Sequence, residues 1–542
     1  MNKKWKYKAL LTTLALLFLF ASTVSAEEIS PPFFSHSGGF YSDNFDLRIS
    51  AAVGMTIRYT TDGSEPTNRS AVYSAPIYIH SPEANAANSP MTMSIRNVPH
   101  DTNDGESGGP NFMPEPYYNG MVVRARAFNA NGEGSATVTH SYFVERDGRG
   151  VFNTPVLSVS IEPEHFIDPV IGIYTNWDDR TWYSATEFDP ADGPRHIVFV
   201  EAFGANGELL FAQRANAWVA GDWSRQHPRK SLRFNFNQGD GDLTNMYEFI
   251  PDTRANWNEP LTHIGTFRHV TARTSDLFES GIRDIVSALV AEPLRADIQN
   301  GVFGAIFING EFWGMYDLRE HRHEAYIAAH YPGIRRGSIE INTNYGVGDL
   351  YFQEIRPLGD LSEQARYERL KAIVDMDNFI DAFIAGFHLQ NWDWLNNNFD
   401  YWRTTTVDPD IYGHDGRWRF IIQDFDGALQ GEFSWIGQSW DMLNYLSDIE
   451  LEILPEWVDA WLPEFVINLF SNEEFRNTFA ARYSTYAGTI FHPSRTDAVV
   501  DDLLHARRDT IQGDLTRWTW RRGDIGSWKR QTEHVRTILN SR

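Results

Sequence analysis

Apolar and polar residues alternate with period two along many stretches before residue 320, and apolar residues recur at spacings of three and four along many stretches after it. The first pattern predicts strands and the second helices, because strand side chains change face at every residue while helical ones return to a face once per turn. Met55–Thr60 alternates and runs into the turn-forming Thr61-Asp62-Gly63-Ser64-Glu65-Pro66. Val122–Phe128 runs into Asn129-Ala130-Asn131-Gly132, and Ser141–Val144 closes an all-β unit over residues 27–146. A Pro/Asn/Gly/Ser-rich insertion at 80–117 interrupts it as a long surface loop. Asp147-Gly148-Arg149-Gly150 and then Asn153-Thr154-Pro155 predict a linker over 147–153, so a second domain spans 154–542.

That second domain opens with strands. Val156–Ile161 and His196–Phe203 are expected strands, and Asn206-Gly207 turns the chain into Leu209-Leu210-Phe211. Leu232, Phe234 and Phe236 alternate along a further strand, with Lys230 at its start. Val302–Glu320 predicts a hairpin around Asn309-Gly310. Ser275–Glu292 predicts a helix with Ile282, Ile285, Val286, Leu289 and Val290 on one face, capped by Ser275 or Thr274 and ended by Pro293. Long helices are expected at Met376–Leu389 and Glu464–Ala487, with a strand at Arg417–Ile422 between them. The domain is therefore read as α+β, β-rich in its first lobe and mainly α in its second.

Composition adds a destination and some exclusions. Lys3, Lys4, Lys6 and Lys8 precede the apolar run 9–21 and the small-residue site Val24-Ser25-Ala26, the pattern of a secretory signal over 1–26 cleaved after Ala26. The mature chain is then secreted or held at the cell surface. The apolar run is shorter than the ~20 residues that span a bilayer, and no later segment reaches that length, so no stable membrane span is expected. The 542 residues contain no cysteine, which excludes thiolate metal sites and Cys nucleophiles. A formal net charge of −25 argues against nucleic acid as a partner, since phosphate backbones are met by Lys and Arg surfaces.

The candidate chemistry is that of phosphate and metal. Asp393 is followed five residues later by Asn398, within Asn391-Trp392-Asp393-Trp394-Leu395-Asn396-Asn397-Asn398, and Asp424-Phe425-Asp426 follows the strand ending at Ile422. Mg²⁺ is typically held by one or two carboxylates together with substrate phosphates. Protein kinases use that arrangement, with a catalytic Asp, an Asn five positions on and a metal-binding Asp in D-F-G. Ser224, Arg225 and Lys230 sit in a turn before a strand, where hydroxyl, fork and point charge suit phosphate oxygens. An exposed basic hairpin explains the same residues, and no Walker loop is present. Glu279 is the acid chosen to hold Lys230, although Glu279 and Arg283 also fit a surface i,i+4 pair. Paired carboxylates and 18 Trp also suit a glycoside hydrolase, which leaves Lys230 and the Asn run without a role.

Tyr59-Thr60-Thr61-Asp62-Gly63-Ser64-Glu65-Pro66-Thr67, with Val123–Phe128 and Tyr142, resembles the small β-sandwich module at the C-terminus of chitobiases and hexosaminidases. That resemblance implies a spacer or a weak carbohydrate contact. Gly221-x-x-Ser224-Arg225-x-x-Pro228-x-Lys230-Ser231, Asn309–Tyr316 with Glu320, Asn391–Trp394 with the Asn run, and Asp424-Phe425-Asp426 together resemble the CotH family over roughly residues 154–540. The resemblance implies a multidomain protein: an N-terminal all-β sandwich, then an atypical protein-kinase-like domain using ATP and Mg or Mn to phosphorylate Ser or Thr of a surface or coat protein. It also implies roles. Lys230 and Arg225 would hold nucleotide phosphates, Asp393 would orient or deprotonate the acceptor hydroxyl, and Asn398 (or Asn397) with Asp424 or Asp426 would bind metal. Glu320 would contact the nucleotide. The same family frame also admits a catalytically inactive adhesin or coat-assembly scaffold.

Overall fold

The computed structural model describes residues 29–81, 119–144, 153–168, 170–174, 194–221, 229–236, 268–274, 281–299, 301–342, 350–392, 394, 398–429, 442–448, 461–508, 510–518 and 524–542. The expected signal segment 1–26, most of the expected 80–117 loop and 147–153 linker, and Arg225, Glu279, Asp393 and Asn397 lie outside the described residues.

The N-terminal unit is all β. Its strands are β1 (Phe33–Phe34), β2 (Gly39–Tyr41), β3 (Phe45–Leu47), β4 (Ile49–Ser50), β5 (Thr56–Thr60), β6 (Ala71–Val72), β7 (Ile77–Ile79), β8 (Met121–Phe128) and β9 (Val138–Val144). They form a five-stranded sheet in the order β2-β9-β8-β5-β6 and the pairs β1-β4 and β3-β7. Leu47, Ile49, Ile79, Val123, Ala125, Tyr142 and Val144 close its core. The Asp62-Gly63-Ser64 run is a turn built by its own side chain: Asp62 Oδ1 accepts from Ser64 N at 3.0 Å and Ser64 Oγ at 2.6 Å. Arg124 secures that turn, donating to Gly63 O at 2.7 Å and pairing with Glu65.

This unit is packed directly on the next. Phe143 meets Phe203, Phe307 and Phe312 in a shared apolar cluster, Ser141 Oγ lies 2.8 Å from Ser158 Oγ, and Gly120 N donates to Gly310 O at 2.7 Å. Glu201 is fully buried at this junction, with Oε1 3.3 Å from His140 Nδ1 and Oε2 without a well-aligned donor. Burial pushes its carboxyl above the ordinary range, against the pull of His140. An acid raised in the fold leaves stability intact below its unfolded pKa and erodes it as pH climbs toward the folded one. Glu201→Gln should therefore match the parent protein near pH 4 and exceed it at pH 8 by on the order of 1 kcal/mol, the cost of one poorly partnered buried group. Urea melts at the two pH values check this; an identical pH profile in the variant contradicts it.

Seven strands then close a barrel. They are β10 (Val156–Ser160), β11 (His196–Phe203), β12 (Leu209–Ala220), β13 (Ser231–Asn235), β14 (His269–Arg273), β16 (Gly301–Ile308) and β17 (Glu311–Glu320), with the two-residue β15 (Asp297–Ile298) outside it. The order is β10-β11-β12-β13-β14-β17-β16, antiparallel except where β10 meets β16 in parallel to complete the ring. Leu157, Val198, Ala215, Leu232, Phe234, Ala272, Ile306 and Leu318 fill the interior, as their alternation requires. The expected Asn309-Gly310 hairpin forms, with φ of 49° and 83° at its two central residues, the left-handed pair that such a tight turn demands. Helix α1 (Arg283–Ala291) follows β14. It begins at Arg283, with Ile282 as its N-cap and Gly281 and Ile282 not helical, while residues 275–280 of the expected helix, with the expected cap Ser275, lie outside the described residues; Thr274 donates its N–H to Ser231 Oγ at 3.2 Å.

The remaining sheet is β15-β20-β19-β18, from β18 (Ile339–Asn342), β19 (Phe399–Thr404) and β20 (Arg419–Ile422). Helix α2 (Met376–His388) backs it; the buried Asn378 accepts from Phe420 N at 2.6 Å and donates to Phe420 O at 3.2 Å. The segment expected as one helix over 464–487 is two, α3 (Trp461–Phe470) and α4 (Glu473–Ala487). Asn472 divides them, accepting from Phe475 N at 3.0 Å as an N-cap and donating to Leu361 O at 2.9 Å. Helices α5 (Pro493–Arg507), α6 (Ile511–Arg517) and α7 (Ile525–Asn540) return to the barrel. Trp518 stoppers it, its Nε1 donating to Trp313 O at 2.7 Å, while Asp514 accepts from Met315 N at 2.8 Å and from Arg229 Nη1 at 3.1 Å. Gly314, at φ 139°, allows that approach, since a Cβ there would stand 2.9 Å from Asp514 Oδ1. Among the described residues no helix is long and apolar enough to cross a membrane.

Candidate active site

Arg273 ends β14, and alternation decides where it points. Val270, Ala272 and Leu318 face the barrel interior, so Arg273 and its cross-strand partner Asp317, with Arg319 two residues on, face outward toward α1. Helix α1 lays Ile282, Ile285 and Val286 into the large apolar core and, in its first turn, presents Asp284 to those arginines. Asp284 Oδ1 accepts from Arg319 Nη1 at 2.9 Å and from Phe425 N at 3.0 Å, and Oδ2 lies 2.7 Å from Arg273 Nε without hydrogen-bond alignment.

The loop after β20 supplies the other two acids. Phe425 is buried in the core and acts as the anchor between Asp424 and Asp426. Arg273 Nη2 pairs with Asp424 Oδ1 and lies 2.6 Å from Asp426 Oδ2. Asp424 has a φ of 53°, which Asp tolerates better than most residues, and its carbonyl accepts from Asn391 Nδ2 at 3.1 Å. Gln423 is buried and donates to Asp400 Oδ1 at 3.2 Å. Leu429 N donates to Leu389 O at 3.0 Å, tying the loop to the end of α2.

Oxygens of Asp284, Asp424 and Asp426 lie within 4.8 Å of one another. With Asp317 the described cluster sets four carboxylates against the guanidiniums of Arg273 and Arg319. Burial pushes the Asp284 carboxyl up, yet Arg319 and Arg273 outweigh it and hold it below the ordinary range. Asp426 goes the other way, raised to about 7 by burial and by its acidic neighbours against the pull of Arg273. Three converging carboxylate oxygens are a hard donor set that suits Mg²⁺ or Mn²⁺.

The residues singled out in the sequence divide. Asp424 and Asp426 come together, and both rather than one meet Arg273. Asn398, buried with a φ of 58°, precedes β19 one register step beyond the Phe399–Ile422 pair, across from Gln423. Lys230 is buried at the start of β13 with Nζ 5.9 Å from the Tyr174 ring centre, and its N–H donates to Tyr174 Oη at 3.2 Å. Glu320 is buried at the end of β17, where Oε1 lies 2.8 Å from His330 Nε2. Asp284, Arg273 and Arg319 did not stand out in the sequence. The available signal was an acid in the first turn of a helix, set against the stripe Ile282, Ile285, Val286, where a solvated side chain would not be expected.

Comparison with known families gives two matches. The Fn3 associated family matches residues 47–142, and the CotH kinase protein family matches residues 218–356 and 349–542. No curated protein matches the chain. The second match covers more than half of the sequence, including β14, α1 and the Asp424–Asp426 loop, and so the chain belongs to the CotH kinase family.

Proposed function

We propose that this protein is an exported kinase that transfers the γ-phosphoryl group of ATP to Ser or Thr of a surface or coat protein, using Mg²⁺ or Mn²⁺. The carrying observation is the convergence of Asp284, Asp424 and Asp426 on the outer face of the barrel. A second feature supports it. Protein kinases hold a strand lysine with an acid on the next helix and place a metal-binding Asp beside them. Here β14 ends in Arg273, α1 carries Asp284 in its first turn, and the two side chains pair next to Asp424.

In this reading Asp284, Asp424 and Asp426, with Asn398 or Asn397, would hold a divalent ion, which would supply charge neutralisation for the transferring phosphoryl group. Asp393 orients the acceptor hydroxyl and receives its proton as the new O–P bond forms and the bond from Pγ to the bridging oxygen of ADP breaks. Lys230, Arg225 and Glu320 serve the nucleotide, and Glu279 or Asp284 positions the strand cation. Little covalent chemistry is asked of the protein; positioning and preorganised charge supply the rate.

A non-catalytic scaffold is the second reading, favoured by the Arg273 guanidinium lying among the acids. One experiment separates the two. Purified protein incubated with labelled ATP and Mg²⁺ or Mn²⁺ should label itself or a generic acceptor protein. Failure to transfer under either metal, with no thermal shift on adding nucleotide, removes the kinase reading in favour of the scaffold.

A further inference from the structure

The three carboxylates that suit a divalent ion are already joined by a cation of the chain's own. Arg273 sets Nη2 between Asp424 and Asp426 and Nε 2.7 Å from Asp284 Oδ2. Each of these carboxylates offers an oxygen within 4.8 Å of the others, and an ion taken up by all three has to displace some of the Arg273 contacts. We propose that Arg273 is the resident counter-ion of this site, and that its guanidinium leaves Asp424 and Asp426 to admit a divalent ion while keeping its hold on Asp284. The inference rests on the metal-binding reading above.

The backbone and the acids around Arg273 are held in place while its side chain is partly exposed. The Arg273 backbone is fixed in β14 opposite Asp317, but its side chain is 25% exposed and so is not enclosed on every side. Asp284 is the fixed post: it is fully buried, and its Oδ1 stays with Arg319 and Phe425 N whatever Oδ2 does. The acidic loop is tied down independently of Arg273, through Phe425 N, through Asn391 to the Asp424 carbonyl, and through Leu429 N to Leu389 O. The carboxylates therefore keep their places when the guanidinium withdraws. Without an ion, the guanidinium fork spares three close acids their mutual repulsion, and a planar fork can serve several carboxylates where a point charge cannot. Affinity for the ion is then a difference between the contacts it makes and those it displaces.

The test is a Mn²⁺ titration of the full chain at pH 8 without nucleotide, following free Mn²⁺ by electron paramagnetic resonance. Arg273→Gln should bind Mn²⁺ roughly ten-fold more tightly than the parent, as expected for removing one close competing charge, with Arg273→Lys between them. Parent affinity equal to or tighter than that of Arg273→Gln overturns the proposal. Should near-UV circular dichroism show that Arg273→Gln has lost its fold, Arg273→Lys decides alone, and affinity no tighter than the parent's overturns it. A double variant, Asp424→Asn with Asp426→Asn, separates the two levels. If it loses Mn²⁺ while Arg273→Gln shows no tightening, only the counter-ion role fails. If it binds Mn²⁺ undiminished, the metal reading of these acids fails as well.

Discussion

Alanine in place of Asp284 is expected to cost about 3–5 kcal/mol of folding stability, the range for breaking a buried ion pair by removing one partner. The side chain has no exposure; Arg319 Nη1 and Phe425 N donate to it, and the Arg273 guanidinium pairs with it as a charge. Arg319 is itself buried, and Asp317, the acid left beside it, has its carboxyl pushed up by burial. Asp284→Asn should cost less, because the amide oxygen still receives Arg319 and Phe425 N. Urea unfolding of both variants checks the order. A loss below 1 kcal/mol for Asp284→Ala contradicts the view that this residue holds strand, helix and loop together.

Asp424→Asn combined with Asp426→Asn is expected to lower phosphoryl transfer at least about a thousand-fold, since a metal clamp supplies several kcal/mol of charge stabilisation in the transition state. The fold should survive, because the loop is held by backbone groups and by Phe425, none of which the amides disturb. Removing the Asp426 carboxyl, which titrates near 7, also removes a charge that the fold disfavours above that pH. The double variant should therefore transfer little and melt no earlier than the parent at pH 8. Rates with labelled ATP and melts on the same sample decide it, and transfer within ten-fold of the parent excludes Asp424 and Asp426 from the chemistry.

Much of the local structure was legible because it obeys local rules. The Asn309-Gly310 hairpin, the strand before Asp424 and the buried helix Met376–His388 follow from turn chemistry and periodicity. The break at Asn472 was not, since its cap competes with an otherwise continuous helical pattern and is secured by Leu361, more than a hundred residues earlier. The site was half legible. Asp424 and Asp426 stood out by their spacing around a buried Phe, whereas Asp284 sits on a helix whose pattern speaks only of packing. Its importance comes from Arg273 and Arg319, brought to it by strand register, and register between distant strands leaves no mark in a single sequence. The parallel union of β10 with β16 is hidden for the same reason.

That union also imposes an order of events during synthesis. The N-terminal unit has all its strands in hand by Val144, but the barrel's first strand, beginning at Val156, waits for Ile308 before the ring can shut. Its stopper, Trp518, arrives later still, roughly 20–70 s after Val156 at ordinary rates of chain elongation. One edge of β10 has no neighbour until Ile308 has been made, and the barrel mouth has no plug until Trp518 follows. A nascent chain halted before Asp514 would carry Arg229 and Arg507 with the acid they share still unmade.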